Sequence, residues 1–198
     1  MPRALAVARE RVMDGREAMS IHEIVLPETK PETEWILGRA VQKMSPRWTH
    51  ARLQAWFARR LLEWEDGHGQ SATEWRFRIA PPNEIRRPLV PDIAFVSNER
   101  LRDLDDSDLE LPPFAPDVAV EILSPGDRSR YVAHKIGVYL AGGGSLVVVV
   151  DPLRRTVTLH DATGARTLRE HDSIEHPALP GFSLPLHDLF SALDRPKG

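Results

Sequence analysis

Residues 115–144 read APDVAVEILSPGDRSRYVAHKIGVYLAGGG, and this stretch decides the fold. With period two, Asp117, Ala119, Glu121 and Leu123 share one face of a strand, and Val118, Val120 and Ile122 share the other. Glu121 therefore lies inside an apolar strand, where a carboxylate needs a cation, a hydrogen-bond network or a metal beside it. Ser124, Pro125 and Gly126 end the strand, Asp127 is a candidate cap and Gly142 a candidate stop, which frames a helix of about four turns. Val132, Ile136 and Tyr139 mark its buried stripe. Lys135, three residues after Val132 and four before Tyr139, rides on that stripe or its edge and can reach back over the end of the strand. Residues 145–152, SLVVVVDP, follow as an apolar run of the kind covered on both faces. Strand, helix and strand predict a right-handed parallel crossover.

The 198-residue chain is 41% hydrophobic, enough for one domain, expected over residues 21–193. Residues 1–20 are read as an N-terminal arm, helical or disordered, and residues 194–198 as a tail. The chain has no cysteine, which removes disulfides and thiolate-bound metals and fits a reducing cytoplasm. Any metal must then be held by oxygen or imidazole. Residues 1–20 hold no apolar run of signal-peptide type, and the longest aliphatic run, Leu146 to Val150, is too short to span a bilayer. The net charge of −3 argues against indiscriminate coating of nucleic acid but leaves room for a local basic groove.

Working outward, residues 33–46, TEWILGRAVQKMSP, read as two short strands around a turn at Gly38, with Ile36 and Val41 inward. Glu34, the one acid in this hairpin, reads first as a solvated strand-end carboxylate. Ser45 and Pro46 suggest a helix start, and Leu53, Trp56, Phe57, Leu61 and Trp64 then share one wide face. His50 falls in the first turn. After a turn at residues 67–69, EWRFRIA (residues 74–80) alternates as a half-exposed strand, and LVPDIAFVS (residues 89–97) makes the next, placing Asp92 on the face of Val90, Ala94 and Val96. Residues 97–114 read as a short helix from Ser97 and then an acidic loop, without the glycine and terminal glutamate of a calcium-binding loop. Residues 154–170 read as a hairpin turning at Thr163 and Gly164, and residues 179–193 as a turn and a short helix carrying Leu186, Leu189 and Phe190. His160, His171, His176 and His187 lack metal-binding spacing.

Asp92 and Glu121 on neighbouring strands can point at one place, with Lys135 overhanging it. Two carboxylates need a cation between them, and a hard divalent ion such as Mg²⁺ or Mn²⁺ takes oxygen ligands. Such an ion binds a phosphate oxygen and acidifies a bound water, while the lysine steadies the phosphate or the water. This is the equipment for phosphodiester hydrolysis.

The order Pro91-Asp92, then Glu121-Ile122-Leu123-Ser124, then a helix with Lys135 and Tyr139 followed by glycines resembles the PD-(D/E)xK nuclease superfamily. More narrowly, TEWILG, KMSP followed by His50, VPDIAFVS, APDVAVEILSP, HKIGVYLAGG, VVVVDP and LPGFSLPL, from about Glu34 to Phe190, resemble a bacterial restriction-endonuclease-like family formerly known as a domain of unknown function. The resemblance implies an α/β restriction-endonuclease-like fold, a central mixed sheet flanked by helices. It implies a metal-dependent endonuclease acting on nucleic acid, with DNA the expected class and a homodimer the expected assembly. Asp92, Glu121 and Lys135 are the implied catalytic residues, Asp92 and Glu121 the metal ligands, and Glu34, His50 and Asp117 secondary candidates.

Two departures stand out. The superfamily's usual lysine two residues after the second acid is here Leu123, so Lys135 has to replace it; and the family's usual acid before the hairpin glycine is here Leu37. Three other readings remain open at this point: a structural ion network without catalysis, a nucleic-acid-binding module that lost turnover, and a structural or regulatory dimer. Arg76, Arg78, Arg86, Arg87, Arg128 and Arg130 are candidate phosphate contacts under the nuclease and binding readings.

Overall fold

The computed structural model describes residues 7–8 and 23–194, so most of the expected N-terminal arm and of the tail lies outside the described residues. β1 (Val7–Ala8) pairs with β2 (Ile24–Val25), and β3 (Thr33–Ile36) and β4 (Arg39–Gln42) form the predicted hairpin. Its two-residue turn has positive φ at both Leu37 (49°) and Gly38 (77°), the geometry that matches the twist of paired strands. Leu37, a non-glycine in that region, carries the steric cost.

α1 (Trp48–Trp64) begins two residues later than Ser45-Pro46 suggested, with Arg47 as its extended cap residue. β5 (Gly69–Thr73) follows where the sequence suggested only a turn. Its sequence, GQSAT, has no apolar face to announce a strand. The alternating run at residues 74–80 yields a shorter strand, β6 (Phe77–Ile79), which pairs with β7 (Arg87–Leu89) outside the main sheet. Pro91 and Asp92 then separate β7 from β8 (Ile93–Ser97), dividing what had read as one strand.

The short helix after Ser97 is α2 (Asn98–Leu101), and the acidic loop contains a second one, α3 (Asp106–Glu110), capped by the Asp105 side chain on Asp108 N. β9 (Val118–Ile122), α4 (Ser129–Ala141) and β10 (Leu146–Asp151) form the predicted crossover. Asp127 does not cap α4; its carboxylate accepts from Ser124 N at 2.6 Å and closes the turn ahead of the helix. The buried positions of α4 are Lys135, Val138 and Tyr139, with Val132 and Ile136 only half-buried. β11 (Thr156–Asp161), β12 (Gly164–Leu168), β13 (Ser173–Ile174), β14 (Leu184–Pro185) and α5 (Leu186–Ser191) complete the chain.

The central sheet has six strands in the order β12-β11-β10-β9-β8-β5; β9 and β10 are parallel, with Glu121 opposite Val149, and the other neighbours are antiparallel. It is a mixed sheet flanked by helices, as expected. Apart from Glu121 and Asp151, strands β9 and β10 are apolar because both faces are covered. On one face, Leu53, Phe57 and Leu61 of α1 and Leu189 and Phe190 of α5 pack on Val118, Val120 and Val148. On the other, Val138 and Tyr139 of α4 and Ile36 of the hairpin pack on Ala94, Ala119 and Val147. The candidate site lies at the edge of this second face. Among the described residues, no helix is long and apolar enough to cross a membrane.

Candidate active site

Asp92 precedes β8 and Glu121 is the penultimate residue of β9. Ile93 stands opposite Val120, so Asp92 and Glu121 adjoin that pair at the same end of the two strands, and both line one cavity. Asp92 N donates to Val120 O at 3.0 Å, and Ile122 N donates to Asp92 Oδ2 at 2.7 Å. The aspartate side chain thus takes the place of a ladder carbonyl and is fixed by the strand itself.

Two like charges buried at one end of the sheet, 2% and 8% exposed, would destabilise it without compensation. Two lysines supply it. Lys135 Nζ lies 2.6 and 2.7 Å from the two Glu121 oxygens and 2.9 Å from Glu34 Oε1. Lys43 Nζ lies 2.8 Å from Asp92 Oδ1, 2.9 Å from Glu74 Oε2 and 3.1 Å from Val90 O. Tyr139 OH donates to Glu121 Oε1 at 2.9 Å, and Val90 N donates to Glu34 Oε1 at 2.9 Å. Gln54 Nε2 holds Glu74 Oε1 at 3.0 Å and Asp92 O at 2.8 Å.

The structure brings Asp92, Glu121 and Lys135 together, along with two of the three secondary candidates. Glu34 is not a solvated strand end: it is 3% exposed and ion-paired to Lys135, because the hairpin folds down over α4 and β9. His50 Nε2 lies 3.5 Å from Asp92 Oδ2 while its Nδ1 lies 3.0 Å from Ser124 Oγ. Asp117 is elsewhere. At the far end of β9 it accepts from Ser97 N at 2.8 Å and from Arg100 Nη1 at 3.1 Å, which ties down the start of α2. Sequence reasoning missed Lys43 and Glu74. Lys43 stands in the quoted KMSP block, but nothing in its spacing tells that the hairpin ends against Asp92.

The electrostatics follow from this geometry. Burial pushes the Glu121 carboxyl up to about 7, with Asp92 and Glu34 adding to the rise and Lys135 opposing it. Burial acts on Asp92 in the same sense, but Lys43 and then His50 outweigh it and hold that carboxyl well below the usual range. Burial lowers the ammonium pKa of both lysines, yet the surrounding carboxylates win and both are raised. His50 is raised as well, Asp92 prevailing over burial. Tyr139 is raised well above its ordinary value by burial and by Glu121, so it stays a neutral donor.

With these six groups ionised, four carboxylates (Glu34, Glu74, Asp92, Glu121) face two ammonium groups, an excess of two negative charges that falls to one when His50 is protonated. That excess, and donors that are all oxygen, fit a hard divalent cation. The oxygens are nevertheless engaged already, and among the described residues no three acids or histidines stand ready-placed around a metal position.

The cluster opens into a cavity of about 510 Å³ whose wall includes Arg39, Arg128 and Tyr131. Arg39, Arg128 and Arg130 lie 5.2, 5.4 and 5.2 Å from the Tyr131 ring centre, forming a cationic rim. Of the other arginines singled out in the sequence, Arg76 is paired with Glu32, Arg78 with Asp108 and Arg87 with Glu84. A neighbouring cavity of about 570 Å³ shares His50, Ser124 and Gly126 and has an apolar floor of Leu123, Val132 and Val149.

A family profile described as "Uma2: Putative restriction endonuclease" matches residues 22–187. The chain is also similar to a crystal structure described as a "putative nuclease belonging to DUF820" from Anabaena variabilis ATCC 29413. The TM-score is 0.76 at 26% identity, over 85% of this chain and 94% of that one. No curated protein matches the chain.

Proposed function

The chain belongs to the Uma2 family, and from that premise we propose that it is a metal-dependent endonuclease hydrolysing phosphodiester bonds in nucleic acid, with DNA as the substrate class. The observation that carries this reading is the convergence of the buried Asp92 and Glu121 at the wall of one open cavity, with Lys135 on Glu121.

In this reading Asp92 and Glu121 would hold Mg²⁺ or Mn²⁺, which would supply polarisation of a phosphate oxygen and acidification of a water. Glu34 keeps Lys135 charged and aimed, and Lys135 steadies the scissile phosphate or the attacking water. Tyr139 fixes the orientation of the Glu121 carboxylate. His50 holds the second Asp92 oxygen in place. Arg39, Arg128 and Arg130 bind flanking phosphates at the cavity rim. On a duplex, a two-fold dimer matches the symmetry of the two strands.

The test is cleavage of duplex DNA, single-stranded DNA and RNA in Mg²⁺, Mn²⁺ or EDTA. Cutting of DNA that requires metal supports the proposal. No cutting of any of the three refutes it.

A second reading has its own observation. Both Glu121 oxygens face Lys135, and the two Asp92 oxygens are held by Lys43 and Ile122 N, as in a closed ion network. A nucleic-acid-binding module without turnover would retain salt-sensitive binding in EDTA and cut nothing.

A further inference from the structure

We infer that Lys43 is a resident cation that a divalent metal must displace from Asp92, so that this side chain sets the metal affinity of the site. The inference rests on the metal-dependent reading above, and it concerns a residue which that reading leaves without a role.

The Lys43 ammonium is surrounded by three oxygens, Asp92 Oδ1, Glu74 Oε2 and Val90 O, at 2.8, 2.9 and 3.1 Å. These are ligand types that a hard divalent ion accepts. An ammonium held on Asp92 Oδ1 repels a divalent ion that approaches the same oxygen, so the two compete for it.

The structure distinguishes which lysine can move. Lys135 sits mid-helix on α4, its side chain 7% exposed, clamped between both Glu121 oxygens and Glu34. Lys43 follows directly after β4, with its backbone pinned by Lys43 N donating to Glu32 O at 2.8 Å. Its side chain is more open, 14% exposed, and lines two cavities at once: the one at Glu121 and another of about 600 Å³ bounded by Gln54, Glu74 and Asp92. Glu74, 42% exposed, can keep the ammonium paired as it swings away from Asp92. A lysine with a pinned backbone, a half-exposed partner acid and space on both sides is built to be displaced and to return. Without metal it neutralises Asp92 and protects the fold; with metal it yields the oxygen.

The test compares Mn²⁺ binding to wild type, Lys43→Met, Lys43→Arg and Lys43→Met/Asp92→Asn by the loss of the free-ion electron paramagnetic resonance signal. Thermal melting with and without Mn²⁺ and DNA cleavage are read in parallel. Lys43→Met is expected to bind Mn²⁺ at least about tenfold more tightly than wild type, as removal of an adjacent positive charge demands. It should melt earlier in EDTA and gain more from Mn²⁺. Lys43→Arg keeps the charge and should bind no more tightly than wild type, and the added Asp92→Asn should abolish the gain. Lys43→Gln serves in the same comparison if Lys43→Met does not fold.

Equal or weaker Mn²⁺ binding by the uncharged variants overturns the inference; if wild type still cuts with metal, the nuclease reading survives that loss. Tighter binding with no cutting by any variant supports the inference and sinks the nuclease reading. Folded proteins that bind no Mn²⁺ in any form sink both.

Discussion

The Lys135 ammonium sits 2.6 Å from one carboxylate oxygen of Glu121 and 2.7 Å from the other, reaching from the middle of α4 to the end of β9. It stands where the chain, with Leu123 two residues after Glu121, provides no lysine from the strand. The helix supplies the charge that the strand lacks. Removing it should leave a buried carboxylate without a cation, and Lys135→Met is expected to lose about 3–5 kcal/mol of stability. The double variant Lys135→Met/Glu121→Gln should lose less than the sum of the single losses. Urea denaturation in EDTA measures both; strictly additive losses would contradict the pairing.

Tyr139 offers a milder change at the same carboxylate. Tyr139→Phe keeps the ring in the core and deletes only the donor to Glu121 Oε1. A cost of about 1.5–3 kcal/mol is expected for a hydrogen bond to a charged group. If Tyr139→Phe melts with wild type, the bond contributes nothing.

The titrating groups give a pH dependence with a defined sign. Folding raises Glu121 from 4.5 to about 7, so between those values the folded protein holds a proton that the unfolded chain has released, and stability falls as pH rises. His50 acts in the same direction: its contribution is complete below 6.5 and is lost as pH rises through its raised folded value. Asp92 acts oppositely, contributing above 3.8 and losing that contribution as pH falls through its lowered folded value. In EDTA, the melting temperature of wild type should therefore drop between about pH 4.5 and pH 7, and that of Glu121→Gln should drop less. Parallel curves for the two proteins would contradict the raised Glu121.

The edge strand β5 can be tested through its glycine. A Cβ on Gly69 would lie 2.2 Å from Val96 O and 2.7 Å from the Phe95 ring. Gly69→Ala is expected to cost about 1–3 kcal/mol through forced separation of β5 from β8. Wild-type stability for Gly69→Ala would argue against this pairing.

Why some elements were legible in the sequence and others not has a physical cause. β9 and β10 announce themselves because both faces are buried, and the face of α1 shows in Leu53, Phe57 and Leu61 for the same reason. β5 is polar, with only its pairing to β8 making it a strand, and backbone hydrogen bonds leave no mark on side-chain pattern. Trp75, Phe77 and Ile79 alternate, yet only Phe77 and Ile79 belong to a strand, since alternation records burial and not pairing.

At the candidate site, Asp92, Glu121 and Lys135 were legible because a charge within an apolar strand or stripe demands an explanation. Glu34 was reached only through the family resemblance and Lys43 not at all, as the polar positions of a short hairpin and its exit look solvated until the hairpin is folded against α4 and Asp92. Asp117 shares the period-two face of Glu121, but the strand starts one residue after it and its carboxylate turns to Ser97 and Arg100. Periodicity assigns a face; it does not say which end of that face holds the chemistry.

The most direct measurement is metal-dependent cleavage of DNA by wild type beside Asp92→Asn and Glu121→Gln, each shown to be folded by its melting curve. The account predicts cutting by wild type in Mg²⁺ or Mn²⁺, none in EDTA, and loss of about a thousandfold or more in both variants, the scale of removing transition-state electrostatics. Folded variants that cut as fast as wild type would contradict it.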